Sequence, residues 1–353
     1  MPGYFRKNIA VMTGYVPGEQ PIDAGIVKLN TNENPYPPSP KVRAALRASI
    51  NASVRLYPEP LTQTLCLTAA AVYGVKAPNI IAGNGSDELL SILLRSFVGA
   101  GDRVAFAVPT YSLYETLVEI QEGVCAKVEY PEDFSLPEAL SAQNAALTFL
   151  CNPNAPSGTL IPLTDVVRLA RAVAGILVVD EAYVDFAASE GASSIPLINQ
   201  LPNLIVLRSF SKSFSLAGAR IGLAFACEEL VAGMLKVKDS YNVNRLSMAA
   251  ANAALQDMRW MERNAARIRR SRCQLTDGLA HMGYSVYPSE ANFVLARLPG
   301  RNLKPVYELL KQRKILVRYF DQPRLQDCLR ITVGTPREVR LLLEEMKDIG
   351  TAV

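Results

Sequence analysis

Short, uninterrupted apolar runs alternate with segments of helical periodicity between residues 41 and 245. The runs are AALTFL at 145–150, ILVVD at 176–180, NLIVL at 203–207 and GLAFA at 222–226. Strands that are apolar on both faces belong in a sheet covered by helices, and LTDVVRLARAV at 163–173 suits a crossover helix. The pattern predicts an α/β fold with a mostly parallel central sheet covered by helices.

The chain before this region predicts a different kind of structure. LNTNENPYPPSP at 29–40 contains three Asn and four Pro, which forbid a regular helix and predict an extended segment. We therefore assign residues 1–40 to an N-terminal arm and residues 41–245 to a large domain.

A second, smaller α/β domain is predicted after residue 245. It begins with a long Ala- and Arg-rich segment, from Ser247 to Met282, that predicts one extended or kinked helix. The remaining elements are strands at 291–297 and 328–334, a helix near 303–313, and a helix from Pro336 that Thr335 and Glu338 open with a capping box. We assign residues 246–353 to this domain, together with part of the arm.

Composition excludes several classes of protein. The 353 residues are 49% apolar and 20% charged, which indicates a globular chain of about two domains and excludes disorder. No run of about 18 apolar residues predicts a membrane span, and the first fifteen residues lack an apolar signal segment. The net charge is only +4, and the basic stretch at 263–272 is interpreted as a solvated helix face. We expect a cytoplasmic protein with no membrane or nucleic-acid partner.

Metal, thiol and histidine chemistry are not expected. The six cysteines are widely spaced, at 66, 125, 151, 227, 273 and 328, without a metal-binding or redox pair. The single histidine, His281, precedes Gly283 at a predicted helix end, where the helix dipole favours it regardless of function. The chemistry must therefore use other groups, and no metal site is predicted.

Reactive side chains follow three successive apolar runs. The first run ends in Cys151–Gly158, the second in Asp180–Tyr183 and the third in Arg208–Ser215. Asp180 lies 28 residues after Asn152, and Lys212 lies 32 residues after Asp180, so each spacing matches about one βαβ unit. Ligands bind beyond the carboxyl ends of parallel strands, so we expect one pocket to hold all three clusters.

The chemistry of these groups points to an aldehyde cofactor with a cationic ring. A carboxylate at the end of a buried strand, as predicted for Asp180, requires a cationic partner such as a protonated ring nitrogen. A lysine at the end of another buried strand, as predicted for Lys212, can lose its proton and attack a carbonyl.

Two further segments predict a phosphate site beside this ring. The glycine loop at 83–85 leads into a predicted helix, whose free N–H groups bind anions, although an ordinary N-cap by Ser86 is the alternative interpretation. The segment at 209–220 supplies hydroxyls and Arg220, which can neutralise a phosphate. An aldehyde, a cationic ring and a phosphate together specify pyridoxal 5'-phosphate.

With these motifs in place, the chain resembles the fold-type I pyridoxal-phosphate aminotransferases, and among them the histidinol-phosphate aminotransferase family. The resemblance covers nearly the whole chain. The motifs that carry it, in the order of that family, are LNTNENPYPPSP, RLYPEP, GNGSDE, PTYSLY, NPNAPSG, VVDEAY, RSFSKSFSLAGARIG, YNVNRLS, EANFVL and LRITVG.

The resemblance implies a role for each cofactor-side residue. Lys212 would bond the cofactor's aldehyde carbon and then act as the general base, and Asp180 would hold the pyridine nitrogen. Tyr183 and Asn154 would bond the phenolic oxygen of the ring, and Tyr111 would stack on its face. The phosphate would be held by Ser86, Asp87, Ser209, Ser211 and Arg220.

The resemblance also implies a homodimer with shared active sites. Tyr57 would reach the phosphate of the neighbouring subunit; the alternative interpretation of Tyr57 is a buried aromatic residue before Pro58. No other macromolecular partner is implied.

Substrate binding is assigned to the arm and the small domain. Strand alternation places Arg330 on the face opposite its apolar neighbours, where a guanidinium can bind a carboxylate or phosphate. The resemblance implies that Arg330 binds both substrates and that Arg318 assists with the phosphate, although a surface salt bridge is an alternative for Arg318. It also implies that Tyr15 and Asn32 close over the substrate. Tyr241 and Asn242 are expected at the substrate-side wall.

The reaction implied by the resemblance is reversible amino transfer between L-histidinol phosphate and 2-oxoglutarate, in histidine biosynthesis. An aromatic amino-acid aminotransferase on the same scaffold is the alternative, and a phosphate-specific decarboxylase is a third possibility. A non-catalytic cofactor-binding regulator is disfavoured, because only about 40 residues precede the large domain and leave no room for a DNA-binding domain.

Overall fold

The computed structural model describes residues 3–21, 25–189 and 191–350. These residues form three sheets. The strands are β1 Val27–Lys28, β2 Ile80–Gly83, β3 Arg103–Val108, β4 Val124–Glu129, β5 Leu147–Cys151, β6 Ile176–Asp180, β7 Leu204–Ser209, β8 Gly222–Phe225, β9 Ser285–Val286, β10 Phe293–Arg297, β11 Ile315–Leu316, β12 Arg318–Tyr319 and β13 Cys328–Thr332.

Helices cover the sheets. They are α1 Lys7–Val11, α2 Pro40–Ser49, α3 Gln63–Tyr73, α4 Ser86–Phe97, α5 Leu113–Ile120, α6 Leu163–Ala172, α7 Glu228–Leu235, α8 Arg245–Leu255, α9 Met258–His281, α10 Lys304–Gln312 and α11 Pro336–Gly350. No helix in the described part of the chain is long and apolar enough to cross a membrane.

The large sheet has seven strands in the order β2-β8-β7-β6-β5-β3-β4. Only β8 runs antiparallel to its neighbours, so the predicted mostly parallel sheet is confirmed. Its central strands are buried on both faces: Phe149 and Val178 pack into one apolar cluster, and Leu150 and Val179 pack into the other. This two-sided burial is why these strands are uninterrupted apolar runs in the sequence.

The smaller sheet is antiparallel, in the order β12-β13-β10-β9, and it lies in the C-terminal part of the chain. The N-terminal arm joins that part, because β1 pairs in parallel with β11 and the Thr332 N–H donates to the Leu29 carbonyl at 2.9 Å. The predicted boundaries of the arm and of the two domains stay predictions.

The long helix predicted from Ser247 to Met282 is two helices, α8 and α9. The break falls at Asp257, which leaves helical geometry with φ −137° and ψ 48° and accepts a hydrogen bond from Ser39 in the arm. Aspartate competes with helical hydrogen bonding through its own side chain, so it is suited to this break. The capping box before α11 is confirmed, since Thr335 and Glu338 exchange side-chain to backbone bonds.

Candidate active site

A cavity of about 470 Å³ lies at the carboxyl ends of β5, β6 and β7. The three strands are adjacent and parallel, so their last residues meet at one edge of the sheet. Thirteen of the predicted site residues line this cavity: Tyr15, Asn32, Ser86, Asp87, Tyr111, Asp180, Tyr183, Ser209, Ser211, Lys212, Arg220, Arg318 and Arg330. The sequence therefore located the pocket, although it could not show its shape.

A second cavity, of about 610 Å³, is larger but contains none of the predicted site residues. Two of its three arginines are paired with carboxylates: Arg297 with Glu132 and Asp327, and Arg324 with Glu129. Its size alone does not make it a reactive site.

Asp180 ends β6 at the floor of the cavity and is 4% exposed. Its Oδ2 accepts a hydrogen bond from the Tyr114 hydroxyl at 2.8 Å, and its Oδ1 accepts one from the Ala182 N–H at 3.2 Å. Burial raises the pKa of this carboxyl to about 6, and the hydrogen bond from Tyr114 acts in the opposite direction by lowering it. A buried carboxylate without a cation bonded to it is suited to hold a cationic ligand.

Lys212 follows β7 on the loop that crosses the cavity. Its Nζ donates to the Thr31 carbonyl of the arm at 3.1 Å. Burial, assisted by the positive charge of Arg330, lowers the pKa of Lys212 from 10.5 to about 8. A measurable fraction of this amine is therefore neutral near pH 7, as a nucleophile and general base requires.

The start of α4 forms an anion site at one end of the cavity. Gly85 precedes the helix with φ +81°, so Ser86 is the first helical residue and the N-cap interpretation of Ser86 is wrong. The first N–H groups of the helix have no intrahelical acceptor, and Arg220 lies beside them, 2.8 Å from the Asp87 carboxylate. Gly222 allows this close packing, because a Cβ there would lie 2.6 Å from the Ser86 nitrogen.

Hydroxyls complete the anion site. Ser209 ends β7 and accepts a bond from the Ser211 N–H at 3.2 Å, and both residues line the cavity. Hydroxyls, free N–H groups and a guanidinium form a donor set that is suited to a phosphate dianion.

Two tyrosines face the space between the anion site and the substrate side. Tyr111 donates to the Asp87 carboxylate at 3.2 Å and packs edge-on against Tyr15 of the arm. Tyr183 accepts a bond from the Asn32 side-chain amide at 3.1 Å, and burial raises its pKa.

Asn154 is close to this group but does not line the cavity. Its amide nitrogen donates to Ser157 at 2.9 Å, and its oxygen accepts a bond from Thr110 at 2.9 Å. Its predicted contact with the cofactor stays a prediction.

Two arginines, Arg318 and Arg330, lie together in the wall of the cavity. Arg318 and Arg330 are cross-strand partners on β12 and β13, so their like charges are adjacent. Neither forms a salt bridge with any described residue, so the surface-pair interpretation of Arg318 finds no partner there. Arg330 donates to the Asn30 carbonyl at 2.9 Å, but its buried Nε has no hydrogen-bond partner in the described chain. Two adjacent guanidiniums with an unused donor form a site for a polyvalent anion.

Three of the residues singled out in the sequence lie away from the cavity wall. Tyr57 is 79% exposed and stacks on Tyr241 with ring centroids 4.6 Å apart. Asn242 donates to the Glu88 carboxylate at 2.7 Å. The alternative interpretation of Tyr57, as a buried aromatic residue before Pro58, is therefore wrong for the single chain.

Sequence reasoning missed three residues that hold the reactive groups. Tyr114 contacts Asp180, Thr31 contacts Lys212, and Asn34 donates to the backbone carbonyls of Lys212 and Ser213 at 3.0 and 3.2 Å. Each lies inside a motif that had been noted, PTYSLY or NTNENP. The available signal for Tyr114 was its place in PTYSLY beside the predicted site residue Tyr111, against whose ring it packs at 5.5 Å.

The residues present fit pyridoxal phosphate. The fit rests on the donor set: a buried carboxylate without a bonded cation, an amine with a lowered pKa and an anion site at a helix N-terminus line one cavity.

The fold and this site define an aminotransferase. The chain belongs to the aminotransferase class I and II family, whose model matches residues 24–346. It is 43% identical to histidinol-phosphate aminotransferase 1 of Trichormus variabilis over 99% of both chains. It is 45% identical to the histidinol-phosphate aminotransferase of Syntrophotalea carbinolica, over 98% of this chain and 99% of that one.

A solved structure agrees with these relatives. The histidinol-phosphate aminotransferase of Sinorhizobium meliloti, determined in complex with pyridoxal-5'-phosphate, matches with a TM-score of 0.90 and 28% identity. The match covers 99% of this chain and 98% of that one. The resemblance predicted from the motifs is confirmed, and with it the fold class.

Proposed function

We propose that this chain transfers the amino group between L-histidinol phosphate and 2-oxoglutarate, giving imidazole acetol phosphate and L-glutamate. The observation that carries the substrate assignment is the pair Arg318 and Arg330, two adjacent guanidiniums with an unpartnered buried Nε. The full-length relatives named above support histidinol phosphate over the aromatic amino-acid alternative. The reaction belongs to histidine biosynthesis, and we infer a cytoplasmic location from its small, charged substrates.

Pyridoxal phosphate is the cofactor; when bound, it supplies an electrophilic aldehyde carbon and a cationic ring that draws electrons from the substrate. Asp180 holds the ring nitrogen, and the start of α4 holds the phosphate together with Ser209, Ser211 and Arg220. Lys212 lines the same cavity and supplies the amine.

Lys212 then moves the proton that the reaction requires. In each half-reaction its Nζ would move a proton between the amino-bearing carbon of the substrate and the aldehyde carbon of the cofactor, away from the substrate when the amino donor reacts and toward it when the keto acid reacts. A pKa of about 8 suits both directions of proton transfer. Near neutral pH part of the amine is neutral and can accept a proton, and the rest is protonated and can donate one. The Thr31 carbonyl orients this amine from the arm side.

Arg330 positions both substrates in turn. It binds the α-carboxylate of glutamate in one half-reaction and the phosphate of histidinol phosphate in the other, with Arg318 assisting in the second. Tyr15 and Asn32 form the arm side of the cavity and exclude water from the reacting carbon.

Turnover of defined substrates tests this function. Purified protein given histidinol phosphate and 2-oxoglutarate should form glutamate. No turnover of this pair, together with good turnover of phenylalanine, would indicate the aromatic aminotransferase. Release of carbon dioxide without a keto acid would indicate a decarboxylase.

We further infer a homodimer in which Tyr57 reaches the neighbouring site. The inference is supported by exposed large apolar side chains near Tyr57 in the sequence, which indicate a partner surface. They are Val54, Leu56, Leu61 and Leu67.

Mixing inactive variants tests this arrangement. Tyr57→Ala and Lys212→Ala subunits should regain activity when combined, because a mixed dimer has one site with both residues intact. A monomeric mass by light scattering, or no rescue from a demonstrated mixed dimer, would contradict the shared site.

A further inference from the structure

Tyr114 and Asp180 form a fully buried hydrogen-bonded pair at the floor of the cavity. Tyr114 is 0% exposed and Asp180 is 4% exposed. The Tyr114 hydroxyl lies 2.8 Å from Asp180 Oδ2, while Oδ1 is bonded to the Ala182 N–H. Each carboxyl oxygen therefore receives one donor from the protein, which fixes the plane of the carboxyl group.

The ring of Tyr114 is held rigidly. It stacks on Phe149 with centroids 4.5 Å apart and planes 10° apart, and it packs edge-on against Tyr111 at 5.5 Å and Phe106 at 6.2 Å. Phe149 and Phe106 belong to the buried strands β5 and β3. The hydroxyl donates to Asp180 Oδ2, and the sulfur of Cys151 is its other polar neighbour.

Burial and the negative charge of Asp87 on α4 favour the neutral form of Asp180. The thiol of Cys151 on β5 and the phenols of Tyr111 and Tyr183 are also close, and burial raises the pKa of each, so they are uncharged near neutral pH. Lys212 is the cation that acts on Asp180 from the loop after β7. In such surroundings a hydrogen-bond donor stabilises the ionised carboxylate.

We propose that Tyr114 is a positioning residue, which keeps Asp180 ionised and oriented toward the ring nitrogen of the cofactor. The identity of the cofactor rests on the proposed function. Tyr114 does not touch the substrate, and it acts only through the carboxylate. Its loss should therefore change how cofactor binding depends on pH, an effect that a purely structural residue would not produce.

The test is the dissociation constant of pyridoxal phosphate, measured by titrating the full-length, cofactor-free protein between pH 5 and pH 8.5. Tyr114→Phe removes only the hydroxyl. In this variant the decrease in cofactor affinity at acidic pH should begin about one pH unit higher, so that binding in the acidic part of the profile is about tenfold weaker. Tyr130→Phe is the matched control, because Tyr130 is also buried but makes no bond to Asp180. It should leave the profile unchanged.

Two further variants make the proposal falsifiable even if Tyr114→Phe does not fold. 3-Fluorotyrosine at position 114 preserves the packing, and its more acidic hydroxyl should move the acidic limb to lower pH. In an Asp180→Asn protein the fluorinated residue should produce no such shift. An unchanged profile with fluorotyrosine, or an equal shift without the Asp180 carboxylate, would overturn the proposal.

Substrate turnover distinguishes this failure from failure of the proposed function. If wild-type protein converts histidinol phosphate, but the pH profile of cofactor binding is the same in the Tyr114 variants, only the positioning role is wrong. If wild-type protein does not bind pyridoxal phosphate, the proposed function itself fails.

Discussion

The cofactor side and the substrate side of the cavity are held in place in different ways. On the cofactor side, Asp180 and Ser209 end adjacent strands of a seven-stranded sheet and take their positions from its backbone ladder. On the substrate side, Asn32 bonds Thr332, which is 300 residues away, and Arg330 bonds the carbonyl of Asn30. The arm joins that side through a two-residue strand pair.

This difference separates the chemistry from the choice of substrate. A group on a buried central strand keeps its position when one side-chain bond is lost, because many backbone bonds hold the strand. A group held by side-chain bonds between distant segments depends on each of those bonds. We expect changes on the cofactor side to remove the chemistry, and changes on the substrate side to alter affinity and selectivity.

The largest effect is expected from Lys212→Ala. Without the amine, transfer of the proton at the substrate carbon should slow by about 10³-fold or more. Glutamate formation measures the loss, and Lys127→Ala, a change in an exposed lysine paired with Glu115, is the control. Wild-type turnover by the Lys212 variant would disprove the assigned role.

A smaller effect should separate the two arginines. Arg330→Lys should lower kcat/KM for histidinol phosphate and for 2-oxoglutarate alike by about 100-fold, since a lysine cannot reproduce a bidentate bond. Arg318→Ala should lower kcat/KM by about tenfold for histidinol phosphate only. Steady-state kinetics with each substrate varied in turn gives the four kcat/KM values. Equal losses of kcat/KM in both variants for both substrates would show that the two arginines do not have separate roles.

The pH dependence of Lys212 sharpens the cofactor side. Its pKa is lowered from 10.5 to about 8, so the reactive neutral amine increases with pH up to 8 and changes little above it. The rate at which cofactor-free protein captures pyridoxal phosphate should rise about tenfold per pH unit well below 8 and then level off. Absorbance after rapid mixing measures this rate, with Lys212→Ala as the background. A rate that still rises steeply at pH 10 would contradict the lowered pKa.

The smallest effect is expected for Asn32→Ala. Asn32 is buried, has φ +58° and links Tyr183 to Thr332, so its loss should lower the free energy of unfolding by about 1–3 kcal/mol. The KM for substrate should rise severalfold, while cofactor affinity changes little. Denaturant unfolding and substrate kinetics test this together. A large loss of cofactor affinity would contradict the expectation that changes on the substrate side leave cofactor binding intact.

Much of the cofactor side could be predicted because its residues follow recognisable strands. Asp180 ends one apolar run and Lys212 comes five residues after another, and the parallel order of those runs brings them together. A kink in the long helix was left open, but its position at Asp257 was not predicted, because the helical periodicity continues across it and the contact with Ser39 is not local. Tyr114 was missed for a similar reason: its partner lies 66 residues further along the chain.

By itself, the sequence determined the family, the cofactor and the strand ends that carry the chemistry, because apolar periodicity and short motifs are local properties of the chain. Only the tertiary structure decided which groups lie unpaired in the cavity, how burial shifts the pKa values of Lys212 and Asp180, and that the arm accepts a hydrogen bond from Lys212. Those properties depend on desolvation and on contacts between segments as much as 300 residues apart. Neither the desolvation of a group nor its contacts with distant segments can be determined from one stretch of the sequence.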